Sequence, residues 1–267
     1  MNKKIVCWIG DAPNHRALVA KIAAHHEVAG IVIDKKIKKG PALTGGGWWK
    51  KLIDKIRFSK IDLAWKKMQQ YYRTHFPSLP AVPTITVHSI NMPEVVEFTK
   101  ELAPALIVVS GTSLIKEPLV SMTVPIGIMN LHTGLSPYVK GGPNCTNWCI
   151  ANNEWPLIGN TVFWLSSGID AGNIITSEQT DIAQDKTLPA IHFKVMEHAH
   201  DLYLRAIRYV MNAQPPYPSV SQSSLGKGTL YLTKMWTNEK KKQLLNNMNA
   251  GRGTSLSAEI KTVPLPR

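Results

Sequence analysis

An apolar run, a helix-like segment and a second apolar run open the chain, and this order constrains the fold more than any other feature. The first run covers residues 4–9 and ends at Gly10, the helical pattern covers about 15–26, and the second run covers 28–33. Strand, helix and strand in this order are the opening unit of an open parallel sheet. We therefore predict an α/β fold with an open, mostly parallel, twisted sheet.

The same alternation resumes after Pro80 and continues to about residue 213. Further strands are predicted at 84–87, 105–109, 126–132, 158–165 and 173–180. Further helices are predicted at 93–102, 114–120, 143–151 and 188–212, with a smaller one at 234–248. Because Pro, Ser and Gly are frequent after 213, we divide the chain into a catalytic core at 1–213 and a short C-terminal extension at 214–267, whose last residues we expect to be loosely ordered.

A basic insertion interrupts this pattern at about 34–80. Up to Phe76 it carries twelve Lys or Arg against three Asp, in a chain whose net charge is +13. Apolar residues recur at helical spacing at 49, 52, 53 and 56, and again out of phase at 61–72. We predict two amphipathic helices, or one bent near Ser59, after a glycine hinge at 45–47. Nucleic acid, anionic lipid, a phosphorylated substrate and simple solvation of the helices all remain open as reasons for the charge.

Cysteine usage and the length of the apolar runs indicate the environment of the protein. Cys7, Cys145 and Cys149 form no C-x-x-C pair, which is typical of buried thiols in a reducing compartment. The first apolar run is too short for a signal peptide, and no later run approaches a membrane span, so we expect a cytoplasmic protein. His198 and His200 would leave a helix in different directions, and we expect no metal site.

An amide and an imidazole end the strand predicted at 126–132. Asn130 and His132 are two residues apart, so their side chains leave a strand on the same face. Asp170 lies in a glycine-flanked turn between two predicted strands. An amide that donates to an oxygen, an imidazole that exchanges protons and a carboxylate that orients or relays them are suited to chemistry on a carbonyl group. In open α/β sheets, ligands bind at this end of the strands.

Several further pieces around this pair resemble the folate-dependent formyltransferases. The resemblance is clear over 105–182 and looser over the N-terminal sheet. It rests on pieces that follow one another in the family's order, namely Val108-Val109-Ser110-Gly111, Asn130-Leu131-His132, Leu135-Ser136-Pro137, Lys140-Gly141-Gly142-Pro143 and Asp170-Ala171-Gly172. The family's fold is a Rossmann-like core, which agrees with the predicted sheet.

The resemblance implies N10-formyltetrahydrofolate as the formyl donor, tetrahydrofolate as the product and a primary amine as the acceptor. It gives His132 the handling of protons and donation to the oxyanion. It gives Asn130 the role of an amide donor to the formyl oxygen. Asp170 would fix His132 or a water and help to take protons from the amine. The residues that would bind the folate are Gly111, Ser113, Leu114, Ile115, Lys116, Leu165, Ser166, Ser167 and Gly168.

The identity of the amine depends on other segments. Members that act on a ribosyl-phosphate glycinamide hold phosphate in a Gly/Ser-rich loop, but here Asp11 would repel phosphate and Pro13 lacks an N–H donor. Initiator-tRNA members carry a C-terminal barrel domain, for which the segment after 213 is short. The string at 132–138 is most similar to the nucleotide-sugar N-formyltransferases, which formylate amino deoxysugars for lipopolysaccharide O-antigen or other surface glycans.

The resemblance to this branch suggests a set of acceptor-binding residues and partners. The candidates for binding the acceptor are Gly10, Asp11, Asn14, Thr133, Tyr138, Lys140, Gly141 and Gly142. We expect a homodimer, with 230–248 as a candidate interface, no stable nucleic-acid partner, and weak association of the basic insertion with a membrane surface. A methionyl-tRNA formyltransferase-like enzyme and a formyltetrahydrofolate hydrolase with the same triad remain alternatives.

Overall fold

Seven strands form one sheet in the computed structural model, which describes residues 3–36, 48–251 and 259–266. The strands of the chain are β1 (Ile5–Gly10), β2 (Val28–Asp34), β3 (Thr84–Val87), β4 (Leu106–Ser110), β5 (Gly127–His132), β6 (Val139–Gly141), β7 (Gly159–Trp164), β8 (Ile174–Gln179) and β9 (Thr229–Tyr231). The helices are α1 (Pro13–Ala23), α2 (Trp48–Arg57), α3 (Ser59–His75), α4 (Pro93–Leu102), α5 (Cys145–Ala151), α6 (Leu188–Asn212), α7 (Gln222–Leu225) and α8 (Asn238–Ala250).

The strand order in the main sheet is β3-β2-β1-β4-β5-β7-β8. The first five of these strands run parallel, whereas β7 and β8 run antiparallel to their neighbours. The prediction of an open, mostly parallel α/β sheet is therefore confirmed. The carboxyl ends of β1, β4 and β5 lie side by side, which is where ligands bind in such sheets.

The central strands are buried on both faces, as their continuous apolar sequences require. Alternate residues of β1 face opposite sides. Ile5 and Ile9 pack with α1 and α6, whereas Trp8 packs with β4 and α4 on the other face. All six residues of β1 are buried. This two-sided core holds the strand ends in fixed positions.

The basic insertion forms two helices, as predicted, and we call α2 and α3 together the basic hairpin. Helix α3 packs on α1 and α6 through Met68 and Tyr72, which are 2% and 0% exposed. Phe58, between the two helices, is also buried. Helix α2 instead presents several large apolar side chains to the solvent. The glycine hinge predicted at 45–47 lies outside the described residues.

Two helix predictions need correction. The segment 114–120 forms turns instead of a helix, because the side chain of Asn91 bonds to the backbone of Leu114 and Lys116 and because Pro118 disfavours a helical residue before it. Helix α5 begins at Cys145 and not at Pro143, since the side chain of Asn144 caps it by accepting the N–H of Asn147 at 3.0 Å.

The C-terminal extension packs on the core and contributes strands to it. Strand β9 pairs in parallel with β6, and Val263 pairs with Ser177 of β8, so the expectation of a loosely ordered end is wrong for the described residues 259–266. Leu244 of α8 is fully buried against α5. Part of the segment proposed as a dimer interface is thus used within one chain. Among the described residues, none of the helices combines the length and the apolar character that crossing a membrane requires.

Candidate active site

Strand β5 delivers Asn130 and His132 to the carboxyl end of the sheet. Tyr203 of α6 fixes the strand next to them, because its hydroxyl donates to the Met129 carbonyl at 2.7 Å and accepts the Val109 N–H at 3.0 Å. The alternation along β5 places Asn130 and His132 on one face. His132 is 9% exposed, and the amide of Asn130 forms no hydrogen bond with any residue that the structure describes. That amide is therefore available to a ligand.

Asp170 reaches His132 from the turn between β7 and β8. Strand β7 runs antiparallel to β5, with Thr161 opposite His132 and Trp164 opposite Met129, and the turn that follows β7 reaches back toward His132. Asp170 has a φ of 48°, in the left-handed region, and its Oδ2 atom lies 3.4 Å from Nδ1 of His132. The same oxygen accepts the Gly141 N–H at 2.7 Å. The structure thus brings the imidazole and the carboxylate into contact across 38 residues of chain.

Gln222 of the C-terminal extension holds the Asp170 turn in place. Its Nε2 atom donates to the carbonyl oxygens of Asp170 and Gly172 at 2.7 and 2.8 Å. These two bonds support a backbone conformation that L residues other than Asn and Asp rarely adopt. The extension is therefore part of the framework of the candidate reaction centre, which consists of Asn130, His132 and Asp170.

The contacts of His132 favour its protonated form. Nε2 lies 3.2 Å from the Val139 carbonyl oxygen, which can only accept, and Nδ1 faces the Asp170 carboxylate. Burial lowers the pKa of His132, but Asp170 and Cys145 raise it and prevail, to about 10. At neutral pH the ring is therefore an imidazolium that donates from both nitrogens.

Backbone constraints leave little freedom around the imidazole. A Cβ on Gly134 would lie 2.3 Å from Nε2 of His132, so the ring occupies space that only glycine leaves open. The hydroxyl of Thr161 on β7 donates to the Gly134 carbonyl at 2.8 Å and accepts the Ser136 N–H at 2.9 Å. The segment after β5 is thereby tied to the neighbouring strand.

Two segments that the family resemblance assigns to folate meet at one apolar cluster. Ile115 is 5% exposed and belongs to this cluster, and Leu165 packs against it. Leu114 is 48% exposed and offers an apolar surface, whereas Ile115 is core. The other assigned residues frame these two: Gly111 (φ 71°), Ser113, whose N–H bonds to Asp34, Lys116, whose N–H bonds to Asn91, and Ser166, Ser167 and Gly168 in the segment after β7.

The residues assigned to the acceptor fall into two groups. Near β1, Asp11 forms an ion pair with Arg16. Asn14 is 2% exposed and bonds to Gln69 of α3 at 2.8 Å, so it takes part in the packing of α3 on α1. Gly10 packs so closely that a Cβ there would lie 2.4 Å from the Gly111 carbonyl oxygen.

The second group follows β5 and borders the C-terminal extension. Thr133 and Lys140 are partly exposed. The hydroxyl of Tyr138 accepts the Lys261 N–H at 2.8 Å, and the Gly142 N–H donates to Tyr231 at 2.9 Å. Gly141 serves Asp170, as described above. This group therefore positions the reaction centre and the extension relative to each other.

Three residues near these sites were not predicted from the sequence as site residues. Asp34, at the end of β2, is 2% exposed, and its Oδ1 atom has no hydrogen-bond partner. Cys145 lies 3.5 Å from Nε2 of His132, although its sequence neighbours include neither His nor acid. Gln222 is the third. Only the position of Asp34 at the end of a predicted strand could have indicated it. A cavity of about 680 Å³ beside α4, lined by residues such as Thr99 and Pro125, does not include these side chains.

Comparison with known proteins identifies the family. A family model described as formyl transferase matches residues 64–207, which is more than half of the chain. This chain belongs to the formyl transferase family.

Curated relatives resemble part of the chain. The methionyl-tRNA formyltransferase of Syntrophus aciditrophicus is 29% identical over 135 residues, which are 51% of this chain and 43% of the relative. That of Geotalea daltonii is 32% identical over 111 residues, which are 42% of this chain and 35% of the relative. The chain thus matches less than half the length of these relatives.

Solved structures share the fold. Phosphoribosylglycinamide formyltransferase of Bacillus halodurans superposes with a TM-score of 0.53 at 21% identity, covering 80% of this chain and 99% of that one. A Mycobacterium tuberculosis protein provisionally assigned as a sugar N-formyltransferase gives a TM-score of 0.55 at 16% identity, covering 92% of this chain and 87% of that one. At such identities the likeness shows the fold alone.

Proposed function

We propose that this chain is an N-formyltransferase that moves a formyl group from N10-formyltetrahydrofolate to the primary amine of a nucleotide-linked amino deoxysugar, for lipopolysaccharide O-antigen or another surface glycan. The observation that carries the proposal is that the Asn130 amide lies beside the His132–Asp170 ion pair and makes no hydrogen bond to any residue that the structure describes. Such a set fits a reaction in which a carbonyl oxygen gains negative charge. Membership of the formyl transferase family supports the same reaction.

The segments after β4 and β7 suit the formyl donor. Leu114 offers an exposed apolar surface, and Leu165 lies on the shared cluster beside it, so the two could cover a pterin ring. The left-handed φ of Gly168 lets the backbone turn beside them. When bound, the donor supplies a formyl carbon that bonds to the amine first and loses its bond to N10 afterwards.

Asn130 and His132 stabilise the tetrahedral oxyanion in this proposal. The amide of Asn130 donates to the formyl oxygen. The Nε2–H of His132 is shared between two distant acceptors, at 3.2 Å and 3.5 Å, so a charged oxygen can compete for it. Contacts of this kind commonly tighten only when the reacting groups are in place.

Asp170 and His132 also account for the protons. Because His132 is already protonated at neutral pH, the proton that leaves the attacking amine goes to Asp170, directly or through a water. His132 gives its proton to the departing folate nitrogen. The proton on Asp170 then returns to Nε2 of His132 through water, since Nδ1, which faces Asp170, has kept its own hydrogen. No proton is gained or lost in the cycle.

The sugar acceptor is supported by the segments that flank the reaction centre. The ion pair of Asp11 with Arg16 occupies the position where a phosphate loop would follow β1. Strand β9 of the extension borders Lys140 and Gly141, which gives the site a wall from outside the catalytic core. Exposed Leu230 and Met235 on the extension support a homodimer. The free, buried cysteines support a cytoplasmic location.

One assay tests the proposed reaction. The protein is mixed with N10-formyltetrahydrofolate, with and without a panel of nucleotide-linked 3-amino and 4-amino deoxysugars, and release of tetrahydrofolate is followed. We expect release that depends on one of these acceptors. Release without any acceptor would instead identify a hydrolase, and no release at all would contradict an enzymatic role.

Methionyl-tRNA is the second candidate acceptor. The curated relatives that match the chain are named methionyl-tRNA formyltransferases, and the basic hairpin adds positive charge. Transfer of the formyl group to methionyl-tRNA, with none to the sugars, would favour this alternative.

We also propose that α2 binds weakly to an anionic membrane surface. Trp49, Leu52, Ile53 and Ile56 recur at helical spacing and are 61%, 40%, 61% and 67% exposed. At about 100° per residue they share one face, opposite Phe58, which is buried, and Asp54, which accepts a bond from Asn238. The apolar face therefore points away from the protein.

Exposed cations flank this apolar face and suit an anionic surface. Lys55 and Arg57 lie on either side of it, and Lys60, Lys66 and Lys67 follow on α3. None of the five forms an ion pair with a carboxylate in the part of the chain that the structure describes. An apolar stripe bordered by Lys and Arg is typical of helices that lie in a membrane interface.

Co-sedimentation with lipid vesicles tests the membrane proposal. We expect binding to vesicles of phosphatidylcholine with phosphatidylglycerol, weaker binding at high salt, and none to phosphatidylcholine alone. The double variant Ile53→Asp/Ile56→Asp should lose binding, while Met92→Asp, at an exposed apolar residue before α4, should keep it. Equal binding by the double variant, or binding to tRNA but not to vesicles, would overturn the proposal.

A further inference from the structure

Cys145 contacts the reaction centre although the proposed chemistry does not use it. It is the first residue of α5, 2% exposed, and its Sγ atom lies 3.5 Å from Nε2 of His132. Gly134 lies beside both side chains. A Cβ added there would lie 2.9 Å from Sγ of Cys145 and even closer to Nε2 of His132. The thiol is thus packed directly against the imidazole.

The hydrogen bonds around Cys145 form a closed ring. Nε2 carries a hydrogen, because one of its neighbours is the Val139 carbonyl, so Sγ accepts from it. The S–H then donates to the Gly141 carbonyl at 3.5 Å. The N–H of Gly141 donates to Asp170 at 2.7 Å, and Asp170 faces Nδ1 of His132 at 3.4 Å. This ring of hydrogen bonds runs from Nε2 of His132 through Cys145, Gly141 and Asp170 back to Nδ1.

We propose that Cys145 is a positioning residue that, together with Gly141, holds the His132 imidazolium in the orientation required for formyl transfer. A thiol can accept from the imidazolium and donate to the carbonyl at the same time, which an apolar side chain cannot do. Its bonds are weak, so the Nε2–H stays available to an oxyanion.

Cys149 provides a matched control for the thiol. It lies one helical turn further along α5, is 1% exposed and packs in the same apolar cluster. No side-chain bond joins its thiol to the reaction centre in the described residues. Replacing either cysteine by alanine removes the same volume from the same cluster, so a difference between the two variants reports on the hydrogen-bonded ring.

The test measures the titration of His132 by NMR in the full chain, for the Cys145→Ala, Cys145→Ser and Cys149→Ala variants. The titratable groups that face His132 are Asp170 and Cys145. We expect Cys145→Ala to lower the midpoint by on the order of half a pH unit or more, Cys145→Ser to restore part of the shift, and Cys149→Ala to leave it unchanged. This readout does not require any catalytic activity.

The rate of formyl transfer gives the second readout and rests on the proposed function. Loss of one hydrogen bond to a charged group predicts about a tenfold fall in kcat for Cys145→Ala, with KM for the folate unchanged and partial recovery in Cys145→Ser. An unchanged titration in Cys145→Ala, or an equal shift in Cys149→Ala, would overturn the positioning role. Failure of the proposed function alone would appear as no formyl transfer in the wild-type protein, with the titration differences intact.

Discussion

The reaction centre and the basic hairpin use polar and apolar groups in opposite ways. At the reaction centre, His132 and Asp170 are 9% and 14% exposed at their side chains and are tied to each other and to Gly141. On the hairpin, Ile53 and Ile56 are more than half exposed, and the neighbouring lysines have no carboxylate partners among the described residues. The side chains of the first region contact one another within one chain, whereas the second leaves large apolar side chains exposed to the solvent.

This contrast suggests that the reaction and the binding of a partner depend on different regions of the chain. The family match at 64–207 contains the reaction centre, begins within α3 and does not include α2. We infer that the chemistry is common to the family and that α2 serves the binding of this chain to a surface outside it. Changes in one region should therefore leave the function of the other intact.

The largest effect should come from removing the charge of Asp170. Asparagine tolerates the left-handed backbone at this position, so Asp170→Asn keeps the turn but removes the partner of the imidazolium. We expect kcat to fall by about 10³ or more, by analogy with other carboxylates that orient a histidine. Vesicle binding should be unchanged, and a rate within tenfold of the wild type would break the proposed division of roles.

A slightly smaller loss should follow from Gly134→Ala. The added Cβ would lie within 3 Å of His132, Val139 and Cys145, so the imidazole must move. A misplacement of this kind predicts a fall in kcat of about 10². Gly142→Ala is the control, because nothing lies within 4 Å of its Cβ position. If both variants turn over equally well, the close packing around Nε2 has no catalytic value.

The charged state of His132 should also appear in the pH dependence of stability. Its pKa is about 10 in the folded state and about 6.5 in the unfolded state, so the folded state binds the extra proton between these values. This stabilisation is complete below pH 6.5 and is lost as the pH rises through 10. Urea denaturation from pH 6 to 10 should therefore show a smaller loss of stability in His132→Gln than in the wild type.

His192 offers a control of opposite sign. Burial lowers its pKa to about 4, and its Nε2 atom lies 2.8 Å from Oδ1 of Asn147. Its contribution to stability is present above pH 6.5 and is lost as the pH falls through 4. His192→Gln should change the acid limb of the stability curve only. An alkaline limb that is the same in His132→Gln and the wild type would contradict a cationic His132.

The smallest effect on catalysis should come from the hairpin. Ile53→Asp/Ile56→Asp should keep kcat and KM for a soluble acceptor within about twofold, because substitutions of exposed residues rarely change stability by much. A kinetic comparison in the absence of vesicles measures this. A large loss of activity would mean that α2 belongs to the acceptor site, and the contrast between the two regions would fail.

Local sequence predicts the sheet well, for a physical reason. Strands β1 and β4 are buried on both faces, so each must be a continuous apolar run, and such a run is visible in the sequence. The predicted ranges of β3, α4 and α6 agree with the structure residue for residue. The helix expected at 114–120 fails because Pro118 disfavours a helical residue before it, and because a distant side chain, Asn91, bonds to Leu114 and Lys116 in a non-helical conformation.

The reaction centre is predictable only in part. Asn130, His132 and Asp170 are recognisable from their motifs, and the turn after β7 brings Asp170 into contact with His132. Gln222 and Cys145 contribute through contacts across 52 and 13 residues of sequence, and neither lies in a motif. The packing of Asn14 on Gln69 is likewise a tertiary contact that the local sequence does not reveal.

The most direct test of the account is the single-turnover rate of formyl transfer in Asn130→Ala and His132→Ala, at saturating N10-formyltetrahydrofolate and with the acceptor that the wild-type protein uses. Circular dichroism and folate binding should be unchanged in both variants. Loss of one oxyanion donor predicts a rate lower by about 10² to 10³ in each. A rate close to that of the wild-type protein in either variant would contradict the assignment of the reaction to the end of β5.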